Sequence, residues 1–197
     1  MKILLVEDQN MVRGALAALL RMDNETTVVE ACDGQAAMLC LQQEDFDVVL
    51  TDIEMPQLSG LELLQHVRQH YACKVVILTT FGRAGYVQRA LKLGVDGFLL
   101  KDASTESLLR ALHDILQGRR VIDPELAMLA IGEQDPLTDK ERKALKLAAE
   151  GKSTSDIATA LFIAEGTARN YLSEAIAKMA ASNRIDAARI AQQKGWL

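Results

Sequence analysis

Nowhere in this chain do apolar residues run on for the roughly 18 to 20 positions that a membrane-spanning helix needs. Met1-Lys2 leads directly into a short strand-like run, without the apolar core of a secretory signal. The chain is therefore expected in the cytoplasm, with no insertion into a membrane. Cysteine is scarce: Cys32, Cys40 and Cys73 are odd in number and lack CxxC spacing. That argues against a disulfide or zinc site and for buried, reduced thiols. Histidine is equally scarce, and the pair His66/His70, four residues apart, reads as a solvated helix face rather than a metal site. Internal repeats and low-complexity segments are absent.

What is present is an ordinary globular composition. The chain has 197 residues, 49% of them apolar and 25% charged, enough for one generous core or two small ones. Its character changes partway along. Residues 1–118 alternate short apolar runs (Lys2 to Glu7, Thr26 to Ala31, Asp47 to Asp52, Lys74 to Thr80, Gly97 to Lys101) with helical periodicity at about 10–22, 34–43, 59–70, 84–94 and 104–117. Near-continuous apolar strands with short connections mean a parallel sheet covered on both faces, built from right-handed crossovers. The expected fold is α/β, a five-stranded, doubly wound, flavodoxin-like sheet of order 2-1-3-4-5.

Residues 119–135 read as a linker with a weak helix around Pro124 to Ile131. From 136 to 197 no strand signal remains, and four short helices are expected, punctuated at Gly151, at Phe162 to Gly166 and at Ala181 to Asn183. Thr138 with Glu141, and Ser153 with Asp156, have capping-box spacing, and Gly151 suits the position just past a helix end. Charge follows the same boundary: −4 over residues 1–120, −4 over 121–135 and +3 over 136–197. A mildly basic C-terminal domain permits nucleic-acid binding without establishing it.

Chemistry concentrates at strand ends. Glu7-Asp8 follows the first strand, Asp52 ends the third, Thr79-Thr80 ends the fourth and Lys101 ends the fifth. In the expected topology these meet at one sheet edge. Carboxylate oxygens suit Mg²⁺, Asp52 can act as a nucleophile toward phosphorus, and Lys101 can neutralise phosphoryl oxygens. By position Thr80 is the better of the two threonines to donate to a phosphoryl oxygen.

With Glu7-Asp8-Gln9, Asp52-Ile53-Glu54-Met55-Pro56, Gly60-Leu61-Glu62, Ile77-Leu78-Thr79-Thr80 and Gly97-Phe98-Leu99-Leu100-Lys101-Asp102, residues 1–118 resemble the receiver domain of bacterial two-component response regulators. The resemblance implies that Asp52 is the phosphoacceptor for a sensor histidine kinase. It further implies that Glu7, Asp8, Asp52 and the backbone carbonyl of Glu54 serve Mg²⁺, that Thr80 and Lys101 hold the phosphoryl group, and that Phe98 has a switching role. Asp102 stands where many receivers have proline.

Asp156 to Tyr171 has helix-turn-helix spacing: Ile157, Leu161 and Ile163 are placed to pack the angle, Ala158 permits close approach, and Thr167 to Leu172 would open the recognition helix. With Leu137-Thr138-x-x-Glu141, Ala149-x-Gly151 and Asn183-Arg184-x-x-Ala187, residues 136–197 resemble the LuxR/NarL-type DNA-binding domain. That resemblance implies base contacts from Arg169, Asn170 and Ser173, and backbone contacts from Thr167, Tyr171 and Lys178. It also implies a homodimer formed on phosphorylation, with the last helix packing between copies. Ala164 departs from the family's frequent serine N-cap, Ala168 from its valine and Tyr171 from its histidine, which points to a less rigid recognition helix with altered sequence preference. Within the family, Thr79-Thr80-Phe81-Gly82-Arg83-x-Gly85-Tyr86 and Arg169-Asn170-Tyr171 look most like DesR-type regulators, which are paired with membrane-fluidity sensor kinases.

Two other readings compete. A Mg-dependent aspartyl-phosphate phosphatase of the haloacid-dehalogenase type would need a second aspartate two residues after the nucleophile, where this chain has Glu54, and a cap domain. A phospho-regulated protein-interaction module would lack salt-dependent binding to duplex DNA. The expectation is a phosphoacceptor transcription factor with at most slow self-dephosphorylation.

Overall fold

The computed structural model describes residues 1–80, 82–131 and 134–197. Phe81 of the Thr79-to-Tyr86 motif and Gly132-Glu133 of the expected linker lie outside them. The chain folds as two compact units, Met1–Gly82 with Tyr86–Ile131, and Gly132–Leu197 with Arg83–Gly85.

In the first unit, strands β1 (Lys2–Val6), β2 (Thr27–Ala31), β3 (Val48–Asp52), β4 (Lys74–Thr79) and β5 (Gly97–Leu100) alternate with helices α1 (Asn10–Leu20), α2 (Gly34–Gln43), α3 (Gly60–His70), α4 (Ala84–Lys92) and α5 (Thr105–Leu116). All strands pair in parallel, in the order β2-β1-β3-β4-β5. Successive residues of a strand point to opposite faces, and here both faces are covered. Leu4, Val6, Val49, Ile77 and Phe98 join one core, and Ile3, Leu5, Val48, Leu50, Val76 and Leu78 join the other. That two-sided burial is why the strands read as continuous apolar runs rather than alternating ones.

The structure adds one strand to the expected five. Residues Val121–Ile122 form β6, parallel to β5, and Pro124–Ala130 form α6, whose Leu126 is buried in the first core. Two residues are too few to leave a strand signature in the sequence. Helix α6 starts sharply because Asp123 accepts from the Glu125 N–H at 2.9 Å and Pro124 occupies the first turn.

The cysteines are all free. Cys40 and Cys73 are half-buried, and burial pushes both thiols up. Cys32 is exposed, contrary to expectation, because it follows Ala31, the last residue of β2, and so leaves the sheet.

The second unit holds α7 (Asp139–Ala149), α8 (Thr154–Ala160), α9 (Glu165–Lys178) and α10 (Arg184–Gln193) around Leu145, Ile157, Ala168, Leu172, Ala175 and Trp196. Both expected capping boxes form. Gly151 sits past α7 with φ of 83°, and the N–H groups of Gly151 and Lys152 return to the carbonyls of Ala148 and Leu147 at 3.1 Å each. This is a Schellman closure, which needs the left-handed backbone that glycine adopts at no steric cost.

Candidate functional sites: an acidic pocket and an exposed helix

Parallel strands end at one edge, and the edge here collects charge. Glu7 and Asp8 follow β1, Asp52 closes β3 and Lys101 follows β5. One carboxylate oxygen from each of Glu7, Asp8 and Asp52 lies within 4.8 Å of the others. The Lys101 Nζ donates to Glu7 Oε2 at 2.7 Å and stands 3.2 Å from Asp52 Oδ1. Glu7 is 1% exposed and Asp52 7%.

Burial pushes the Asp52 carboxyl above its ordinary value of 3.8; the Lys101 ammonium and the Ile53 N–H oppose that, and the Glu7 charge reinforces it. The Oδ1 of Asp8 is buried with no hydrogen-bond partner among the described residues. Three carboxylates against one ammonium, with an unpaired buried oxygen, fit a hard divalent cation that takes oxygen ligands.

Thr80, directly after β4, is exposed, and Phe98 is wholly buried in the core that includes Leu64, Ile77 and Val87. Glu54 lies two residues beyond Asp52, and its side chain accepts from the Tyr86 hydroxyl at 2.9 Å.

A further determinant is Gly60, the first residue of α3. Its N–H donates to Ile53 O at 3.0 Å, and a Cβ built there would lie 2.0 Å from the Asp52 carbonyl oxygen. The sequence carries Gly60 beside Leu61 and Glu62, but nothing local marks its packing against Asp52.

The second candidate is α9. Ala168, Leu172 and Ala175 face the core, which turns Arg169, Asn170 and Ser173 outward and leaves Thr167 and Tyr171 half-buried. Ala164 caps the helix with no side-chain hydrogen bond. The expected contact residues differ in their surroundings. Arg169 pairs with Glu165 at 3.0 Å on the open face, whereas Lys178 is held 2.8 Å from both oxygens of Glu141 on α7.

Comparison with known proteins agrees with both halves. Residues 3–113 match the response regulator receiver domain, and residues 135–191 match the bacterial regulatory proteins of the luxR family. The chain is 42% identical over 198 residues to the uncharacterized transcriptional regulatory protein YvfU of Bacillus subtilis, covering 100% of this chain and 99% of that protein. It is 43% identical over 195 residues to the transcriptional regulatory protein DesR of the same organism, covering 98% of each. The crystal structure of ChrA, a response regulator of a heme-sensing two-component system, is 30% identical, with a TM-score of 0.57 over 100% of this chain and 98% of that one. Salmonella typhimurium RcsB, at 24% identity and a TM-score of 0.75, shares the fold over 98% of both chains. This chain belongs to the response regulators that join a receiver domain to a luxR-family domain.

Proposed function

We propose that Asp52 accepts a phosphoryl group from a sensor histidine kinase and that the modified chain dimerises and binds duplex DNA to regulate transcription. The observation that carries this reading is Lys101, whose Nζ lies within 3.2 Å of both Glu7 and Asp52 at the convergence of three carboxylates. Asp52 Oδ attacks phosphorus as the donor's bond to phosphorus breaks, and Lys101 balances the charge that arrives on the phosphoryl oxygens. Glu7, Asp8, Asp52 and the backbone carbonyl of Glu54 would hold Mg²⁺, which when bound supplies charge neutralisation at the transferring group. Thr80 donates to a phosphoryl oxygen, and Phe98 transmits the change into the core.

In this reading residues 1–118 are the receiver, 119–135 the connector and 136–197 the DNA-binding domain of a cytoplasmic protein. Arg169, Asn170 and Ser173 read base edges. Thr167, Tyr171 and Lys178 meet the backbone, Lys178 from its place against Glu141. The chain is a phosphoacceptor rather than a dedicated enzyme, and its self-dephosphorylation is slow. We assign the chain to the DesR-type regulators, which are paired with membrane-fluidity sensor kinases, on Thr79-Thr80, Gly82-Arg83, Gly85-Tyr86 and Arg169-Asn170-Tyr171. Phosphotransfer from a panel of autophosphorylated kinases tests that assignment.

The central reading is tested with Mg²⁺ and acetyl phosphate or beryllofluoride, followed by mass spectrometry and light scattering. Wild type is expected to carry the group on Asp52 and to convert from monomer to dimer. Asp52→Asn keeps the shape without the nucleophile and is expected to do neither. Phosphorylated, dimeric Asp52→Asn would remove Asp52 from the mechanism.

A further inference from the structure

Among the described residues, the four helices of the C-terminal unit end in the same closure, but two of the ends lack glycine and one of those carries a bulky aromatic. Past α7 and α10 the left-handed position is glycine, Gly151 at φ 83° and Gly195 at φ 70°, and past α9 it is Ala180 at φ 48°. Past α8 it is Phe162, at φ 54°. The closure is complete there: Phe162 N–H donates to Thr159 O at 3.2 Å and Ile163 N–H to Ala158 O at 3.0 Å. A bulky aromatic is a poor choice for that conformation, which favours glycine.

The side chain recovers nothing for the domain's own fold. Its neighbours Leu161 and Ile163 pack against the core of the second unit, but Phe162 is 95% exposed. An unfavourable backbone and a solvent-facing phenyl ring together point to something outside the chain that covers the ring.

Position decides what that is. Phe162 lies two residues before Ala164, the N-cap of α9. In a helix-turn-helix the N-terminal end of the second helix reaches base edges in the major groove. The surface presented there is polar except for one group, the thymine 5-methyl. We propose that Phe162 makes an apolar contact with a thymine methyl at the edge of the site read by α9. The inference rests on the DNA-binding reading above and extends it with a residue type and a base.

The test uses the full-length protein with Mg²⁺ and beryllofluoride. Duplexes are selected from a random-sequence pool, and the selected duplex is resynthesised with each thymine in turn replaced by uracil, which removes only the methyl group. Wild type is expected to lose about fourfold in affinity at one thymine per half-site, the worth of one buried methyl-sized group. Phe162→Gly is expected to bind the thymine duplex about fourfold more weakly and to treat thymine and uracil alike.

The same variant is expected to raise the thermal midpoint followed by fluorescence of Trp196, the sole tryptophan and buried in this unit, because glycine suits the closure. A lower midpoint would mean that the ring packs within its own domain, and would overturn the inference. So would a wild type indifferent to every uracil, or a Phe162→Gly protein that binds as wild type does. A variant impaired only in dimerisation would assign the ring to a second copy instead. If no duplex is selected, the DNA-binding reading falls and takes this inference with it.

Discussion

The Lys178 Nζ lies 2.8 Å from each carboxylate oxygen of Glu141, tying the last turn of α9 to the first turn of α7. The same carboxylate accepts from the Thr138 N–H at 2.8 Å to close the capping box. One buried group, 6% exposed, thus terminates one helix and positions another.

Breaking this pair leaves one charge without its partner, while the cap itself needs only an acceptor oxygen at position 141. Glu141→Gln and Lys178→Ala are each expected to cost about 1 to 3 kcal/mol, less than the roughly 3 to 5 kcal/mol of a fully buried pair because Lys178 is partly exposed. Urea unfolding of the full chain, followed by Trp196 fluorescence, measures it.

The pair also sets a pH dependence. Burial pushes the Glu141 carboxyl up, but hydrogen bonds from Lys178 and Thr138 outweigh it, and the group lies below its ordinary value of 4.5. A carboxylate depressed by folding contributes stability that is complete above its unfolded pKa and is lost as pH falls through the folded one. The Trp196 transition should therefore weaken on acidification below about pH 4.5, and Glu141→Gln should flatten that slope. Equal slopes in both proteins would show that other carboxylates control acid unfolding.

Gly60 and Gly14 form a contrasting pair. A Cβ at Gly60 meets the Asp52 carbonyl oxygen at 2.0 Å, and one at Gly14, within α1, meets nothing within 4 Å. Gly60→Ala is expected to destabilise the receiver by about 1 to 3 kcal/mol and to slow phosphorylation by acetyl phosphate about tenfold or more, because Asp52 must shift. Gly14→Ala is expected to stabilise by roughly 0.5 to 1 kcal/mol through helix propensity and to leave phosphorylation unchanged.

Lys101 and Thr80 should fail at different steps. Lys101→Ala removes the ammonium that opposes the upward push on Asp52, so this carboxyl, the proposed nucleophile, is expected to ionise at higher pH and to move the phosphorylation profile upward. Thr80→Ala leaves the acidic cluster intact and is expected to accept phosphate while dimerising weakly. Intact-mass measurement and light scattering across a pH series separate the two.

Arg169 and Lys178 should differ on DNA. Arg169→Ala removes an outward guanidinium and is expected to lower binding to a selected duplex far more than to a scrambled one, by roughly 1 to 3 kcal/mol of discrimination. Lys178→Ala should weaken both alike and reduce the salt slope by about one phosphate contact. Competition binding at several salt concentrations, with protein shown folded by Trp196 fluorescence, tests both.

Much of this molecule is local and therefore readable along the chain. Strand runs, helix periods, the boxes at Thr138 and Ser153, and acidic residues at strand ends depend on neighbours a few residues apart, where spacing alone sets geometry. Parallel pairing then forces Glu7, Asp8, Asp52 and Lys101 to one edge. Distant contacts are another matter. Topology brings Lys101 to the edge, but its hydrogen bond to Glu7 across 94 residues, like that of Lys178 to Glu141 across 37, is encoded by no periodicity. Gly60 is required by a carbonyl eight residues away that only the turn of the chain brings close, and the exposure of Phe162 follows from which sides of Leu161 and Ile163 the core claims. These were decided by packing, because steric exclusion and charge pairing act through space between atoms that the sequence keeps apart.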